Sequence, residues 1–222
     1  MKRAAKATST KGQAPAAVSP ERTREQVLQV AARLLRDQGY AMTTLRQIAD
    51  ATGIKAGSIY YHFASKDDLV LEVLEVGMRM VIEGVKGRVA SLHADRPAKE
   101  RIAAAIHGHL FGMLVHGDFT TANIRVFSQL PDTLKRRHRT SRRAYSKYWD
   151  SVLEEARARG ELRTDIPVAL LRPYILGSLN WTVEWYEPDE HGSVEEFADH
   201  ITDMIFEGML PNGAPLKALR KR

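Results

Sequence analysis

Residues 43–63, TTLRQIADATGIKAGSIYYHF, concentrate hydrogen-bonding side chains on short helical pieces. Lys55, Ser58, Tyr60, Tyr61 and His62 offer an ammonium, a hydroxyl, two phenols and an imidazole, while Ile59 and Phe63, four apart, are left as apolar anchors. That is the chemistry of contact rather than of bond making. A short helix, polar outside and tipped with donors, suits the major groove of duplex DNA. Thr44 and Arg46, just upstream, add a hydroxyl and a guanidinium.

The elements that have to hold these groups are legible from local rules. Thr44 and Gln47 stand at capping-box spacing, so a helix starts near Thr43 or Thr44 and buries Leu45, Ile48 and Ala49. Gly53 breaks the pattern where the chain turns sharply, Ile54 plugs the angle, and a second helix follows at once. Upstream, Ser19 and Pro20 read as an N-cap and first helical residue. Val27, Val30, Ala31, Leu34 and Leu35 then form a stripe that ends at Gly39. Downstream, Ser65 caps a new helix with Asp68 reaching back, leaving Lys66 at its corner.

Charge is distributed to match. Residues 1–63 hold ten Lys and Arg against four Asp and Glu, so the whole formal excess of +6 lies in this part of the 222-residue chain. A basic region beside a helix-turn-helix is the footprint of a phosphate-neutralising protein; a solvated surface with a basic tail is the bland alternative. Residues 144–210, with 5 basic and 14 acidic side chains, are poorly suited to touching DNA. There is no cysteine, which excludes disulfides and thiolate metal sites and suits a reducing compartment. No apolar leader core and no run long enough to span a membrane is present, so a cytoplasmic protein with no membrane partner is expected.

The run Tyr60, Tyr61, His62, Phe63, Ala64, Ser65, Lys66, Asp67, Asp68, Leu69, together with the helix-turn-helix before it, resembles the TetR family of transcriptional regulators from about Glu21 to Leu74. The resemblance implies that Lys55, Ser58, Tyr60 and Tyr61 project from the recognition helix, with Thr44 and Arg46 at the start of the preceding one and Lys66 gripping the backbone. By chemistry, Lys55, Arg46 or Ser58 reach base edges and Thr44, Tyr60, Tyr61, His62 and Lys66 meet phosphates. Two readings stand for His62, phosphate contact or a packed or helix-capping ring, and Tyr60 has the same ambiguity.

From Ser65 onward every periodicity is helical, so the fold class is all-α: a three-helix DNA-binding head and a larger helical domain. The expected division is a disordered basic arm over 1–18, the head over 19–64, an effector-binding and dimerisation domain over 65–212, and a basic tail over 213–222. In the arm, Lys2, Arg3, Lys6 and Lys11 either follow a groove or remain solvated. Helices are expected over Lys66 to Ala90, Ala98 to about His116, Asp118 to Gln129, Pro131 to Arg159, and Pro167 through Trp185. A last one, capped by Ser193, carries Phe197, Ile201, Met204, Ile205 and Met209. With the head this makes nine helices, the number usual in the family.

The resemblance further implies a homodimer formed by the last two helices and an effector pocket enclosed by those before them. The segment Trp181 to Pro188, with Ser193 and Glu196, is similar to a branch that senses acyl-CoA thioesters or related lipid-derived metabolites. Trp181 and Trp185 are read either as ligand contacts or as packing. Asn180 and Tyr148 are further polar candidates, and Phe111, Leu114 and Phe127 supply an apolar wall. The basic cluster Lys135, Arg136, Arg137, His138, Arg139, Arg142 and Arg143 is either a solvated face or, with Arg139 and Arg143, a grip for effector phosphates.

An enzyme has little foothold. His107, His109 and His116 lack a metal-site spacing and read as packed or pocket-lining. No GxGxxG, GxxxxGK or GxSxG is present, and no cofactor is expected. The expected function is a homodimeric repressor of a palindromic operator, released by a small hydrophobic or acyl-CoA effector. An effector-independent DNA-binding protein is the alternative, and an all-α enzyme the remoter one.

Overall fold

Ten α-helices and one 3₁₀ turn, without a strand, make up the described residues of the computed structural model, which are 19–93, 95–115 and 117–207. The basic arm, the basic tail, His116 and Met209 lie outside them. Helix α1 (Pro20–Met42) starts as its sequence dictates, with Ser19 Oγ accepting from the Arg22 amide at 3.3 Å. It does not end at Gly39. That residue takes φ 77°, ψ 179°, and the helix kinks and resumes. The Tyr40 amide freed by the kink donates to Gln129 Oε1 at 3.0 Å, and the buried Thr43 hydroxyl donates to the Gly39 carbonyl at 2.8 Å.

Helices α2 (Leu45–Thr52) and α3 (Ala56–His62) follow. The Thr44–Gln47 capping box forms, and Gly53 closes α2 in the left-handed region at φ 75°. Helix α4 (Lys66–Ala90) has the expected bounds, with Ser65 Oγ accepting from the Asp68 amide. Then come α5 (Ala98–Leu114), α6 (Gly117–Phe127), α7 (Asp132–Ala158) and α8 (Val168–Trp181).

The expectation of nine helices fails after α8. Instead of continuing to Trp185, the chain tightens into a 3₁₀ turn over Thr182–Glu184. A one-turn helix α9 (Pro188–His191) then starts on a proline and stops at Gly192, φ 77°. Helix α10 (Val194–Glu207) completes the described chain, with Ser193 and Glu196 exchanging cap hydrogen bonds.

Two apolar clusters share α4. The first gathers Val27, Ala31 and Leu35 of α1, Ile48, Ile59 and Phe63 with Leu69 to Leu74 of α4, Phe119 and Val126 of α6, Leu130 and Leu134. The second joins Met78 to Val89 of α4 with α5, the rear of α7, α8 and α10. One unbroken helix therefore has its first half in the head and its second half in the body. Close packing holds it there: a Cβ on Gly108 would sit 2.7 Å from the Gly84 carbonyl oxygen, and one on Gly77 2.5 Å from that of Phe119. Polar ties reinforce the junction. Arg36 pairs with Asp118, and Arg125 makes a fork to Glu184 at 2.8 and 2.9 Å.

Candidate nucleic-acid interface and ligand cavity

Helix α3 and its C-cap turn Ile59 and Phe63 inward, leaving both almost fully buried, and Ser58, Tyr60 and Tyr61 outward. Tyr60 and Tyr61 are 61% and 80% exposed, large values for aromatic side chains with a core beside them. Lys55 and Ser58 are exposed on the same helix, and Lys55 occupies the N-cap without a side-chain cap bond. Arg46 is almost wholly exposed and only loosely paired with Asp50 at 3.9 Å. Thr44 is exposed too, its hydroxyl held by the capping box.

The remaining two expected contacts sit differently. His62 is half-buried, with Tyr61 edge-on at 5.0 Å. Lys66 is turned back into the head: its Nζ donates to the Tyr40 carbonyl at 2.6 Å and lies 4.2 Å over the Tyr40 ring. Burial lowers its pKa. Its charge therefore caps a carbonyl in the last turn of α1 instead of standing on the outer face, a placement set by Tyr40, far away in the chain and invisible to local pattern. The Tyr40 hydroxyl donates to Asp67 at 2.7 Å, and burial with that bond pushes its pKa up to about 12.

Between α4, α5, α6, α7 and α8 lies a cavity that is partly open to solvent. Met78, Val81, Met113, Ile124 and Leu176 form its apolar side; Thr120, Asn123, Arg142, Ser146 and Asn180 form its polar side. At its back, the fully buried imidazole of His109 is held at both nitrogens. Asn180 Oδ1 can only accept, so His109 Nε2 carries the proton and donates at 3.1 Å, while Nδ1 accepts from the Tyr145 hydroxyl at 2.6 Å. Burial pulls the His109 pKa down to about 4 against the opposing effect of the Asn180 hydrogen bond, so the ring is neutral at physiological pH. Asn123 is buried between helices, donating to the Leu74 carbonyl of α4 at 2.7 Å and meeting His138 Nε2 at 3.3 Å; His138 in turn meets Glu75 at 2.7 Å.

Of the residues expected to contact a ligand, Asn180 alone lines this cavity. Phe111 lies under Arg88, Tyr148 near Lys86, and Phe127 under Arg142. Leu114 packs at the edge of the second cluster. Arg139 and Arg143 point to solvent, because the face of α7 that turns inward is His138, Arg142, Tyr145 and Trp149. That i, i+4, i+7, i+11 stripe was the signal available in the sequence, and the run of like charges obscured it. Trp185 is not one turn after Trp181 on a helix, since α8 has ended. It stacks edge-on against His191 and Phe197 at 5.2 and 5.5 Å. Of the histidines, His107 faces Asp199 at 3.0 Å, and among the described residues no three potential ligands converge on a metal position.

Among the described residues, nothing covers one face of α8. Leu170, Tyr174 and Trp181 are 60%, 70% and 66% exposed along a single stripe, and Met204 of α10 is 49% exposed. Their inward counterparts Val168, Ile175 and Leu179 are buried. No described helix is long and apolar enough to cross a membrane.

Residues 27–73 match the family described as bacterial regulatory proteins, tetR family, and residues 95–209 match the family described as tetracyclin repressor-like, C-terminal domain. The chain is 30% identical over 201 residues to the HTH-type transcriptional repressor KstR2 of Mycolicibacterium smegmatis, covering 86% of this chain and 92% of that protein. It is 24% identical to the fatty acid metabolism regulator protein of Bacillus subtilis, covering 83% and 94%. Among solved structures, AibR in complex with isovaleryl coenzyme A and operator DNA shares the fold at a TM-score of 0.72 and 23% identity, covering 83% of this chain and 98% of that one.

Proposed function

The chain belongs to the TetR family of bacterial regulatory proteins, and from that premise we propose that it is a homodimeric repressor, bound to a palindromic operator and released by an acyl-CoA thioester or a related lipid-derived metabolite. The observation that carries the reading is the continuity of α4. Its first half is built into the core that aims α3, and Met78 and Val81 of its second half form a wall of the cavity. A ligand that changes the shape of the cavity therefore acts on the same rod that orients Lys55, Ser58, Tyr60 and Tyr61. Arg46 and Thr44 stand beside them as further contacts.

Release needs only a difference in affinity between two postures. An effector that favours the posture with wrongly spaced heads by a few kcal/mol empties most operators. The uncovered stripe of α8 and Met204 supports the dimer, and a two-fold pair of α3 helices reads a site long enough for useful specificity. The relatives' names, a repressor and a fatty acid regulator, support the effector class. They are regulators and not enzymes, and the cavity is read as a sensing site in a cytoplasmic protein.

The test is retention of duplex fragments from the source genome, selected by sequence and lost as salt rises, followed by release on adding acyl-CoA thioesters. Selective retention with release supports the reading. Retention that no metabolite relieves favours an effector-independent DNA-binding protein, and absence of selective retention overturns the repressor assignment.

A further inference from the structure

Among the described residues, Arg142 is the only charged side chain lining the cavity, since the buried His109 is neutral. No carboxylate among the described residues answers it. Among the described residues its one hydrogen bond runs from Nη1 to Asn123 Oδ1 at 3.5 Å, at the long limit for such a bond, and its guanidinium rests on the Phe127 ring at 4.0 Å. The carboxylate of Glu75, across the α4–α7 contact, is taken by His138 and Ser141. Burial lowers the Arg142 pKa, yet a guanidinium stays charged in a protein. A half-buried cation with most of its donors unanswered is a costly arrangement for a purely structural arginine. Two residues with neutral donors share its wall: Ser146 and Asn180 line the cavity, and neither the Ser146 hydroxyl nor the Asn180 amide nitrogen donates to a described residue.

We propose that Arg142 anchors a carboxylate carried on the buried end of the effector. The ligand is then an acyl group with a free acid remote from its thioester, lying along Met78, Val81, Met113, Ile124 and Leu176 with Ser146 and Asn180 as accessory donors. The proposal rests on the thioester reading above and narrows it. A plain alkanoyl chain would bury more methylenes but leave the guanidinium without a counter-ion, whereas an arginine fork and a carboxylate match in charge and geometry. The cavity is open on one side, so the coenzyme leaves through the mouth.

The experiment titrates adipyl-CoA and suberyl-CoA against hexanoyl-CoA and octanoyl-CoA, and free octanoate against octanamide, into the full-length protein and its Arg142→Gln and Arg142→Lys variants. Wild-type protein is expected to bind each acid-bearing thioester at least about tenfold more tightly than its plain counterpart, with the preference abolished in Arg142→Gln and partly kept in Arg142→Lys. If no thioester binds but octanoate outbinds octanamide in an Arg142-dependent manner, the thioester reading falls and the anchor stands. If no acid-bearing probe outbinds its neutral partner in wild-type protein, the anchor is overturned. That comparison needs no variant, so a misfolded substitution does not blur it.

Discussion

The Tyr145 hydroxyl donates to Nδ1 of His109 at 2.6 Å, and this bond fixes the imidazole tautomer whose Nε2–H reaches Asn180 at the cavity wall. Three helices, α5, α7 and α8, are thereby joined through one neutral ring. Because burial holds the folded pKa at about 4, below the ordinary 6.5, the unfolded chain takes up the proton first as pH falls. The stabilising contribution is complete above pH 6.5 and is lost progressively as pH drops through about 4, by roughly 3 kcal/mol in all. Urea midpoints across this range are expected to fall less steeply for His109→Gln than for wild-type protein. Parallel curves would contradict the neutral, buried histidine.

Lys55→Ala and Tyr61→Ala remove groups that support no core. Operator affinity is expected to fall about tenfold for each, and Lys55→Ala to reduce the salt slope by about one unit, with stability changed by less than about 0.5 kcal/mol. Anisotropy titrations at several salt concentrations, beside melting curves, check this. Lys66→Ala is the contrast: losing the bond to the Tyr40 carbonyl is expected to lower the melting temperature as well as DNA binding. Unchanged melting with weakened binding would place Lys66 on the DNA face instead.

Gly108→Ala drives a methyl group into the backbone of α4 at Gly84 and Val85, and is expected to cost about 1–3 kcal/mol through overpacking. Gly87→Ala, also helical but with nothing within 4 Å of its added Cβ, should be neutral or stabilising by up to about 1 kcal/mol. Denaturant unfolding of the pair separates close helix approach from helix propensity. Equal effects would deny that α4 and α5 depend on the glycine contact.

Tyr174→Glu and Trp181→Glu place charges on the uncovered stripe of α8. Light scattering is expected to report monomers with helical content intact, and operator affinity to drop at least about a hundredfold because half the recognition surface is lost. A dimer that survives both substitutions would move the interface elsewhere.

Local chemistry was legible at most caps and turns, Gly39 being the exception, where a glycine that reads as a stop makes a kink. The caps at Ser19, Thr44 and Ser65, the turn at Gly53, and the bounds of α4 follow from hydrogen bonds and backbone freedom within one turn of chain. The outward set on α3 followed from periodicity once Ile59 and Phe63 were taken as anchors. The short α9 escaped because a four-residue helix has no period to read.

The sequence by itself determined an all-helical chain with a basic, tyrosine-bearing recognition helix near its start, since a cap, a glycine or an apolar spacing constrains only its near neighbours. The tertiary structure decided which groups meet. It chose Arg142 over Arg139 and Arg143 for the cavity, brought His109, Tyr145 and Asn180 together from three helices, and folded Lys66 onto Tyr40. A cavity is the space that several distant helices fail to fill, and a buried charge is placed by partners far away in the chain. Neither is written in any single stretch of residues.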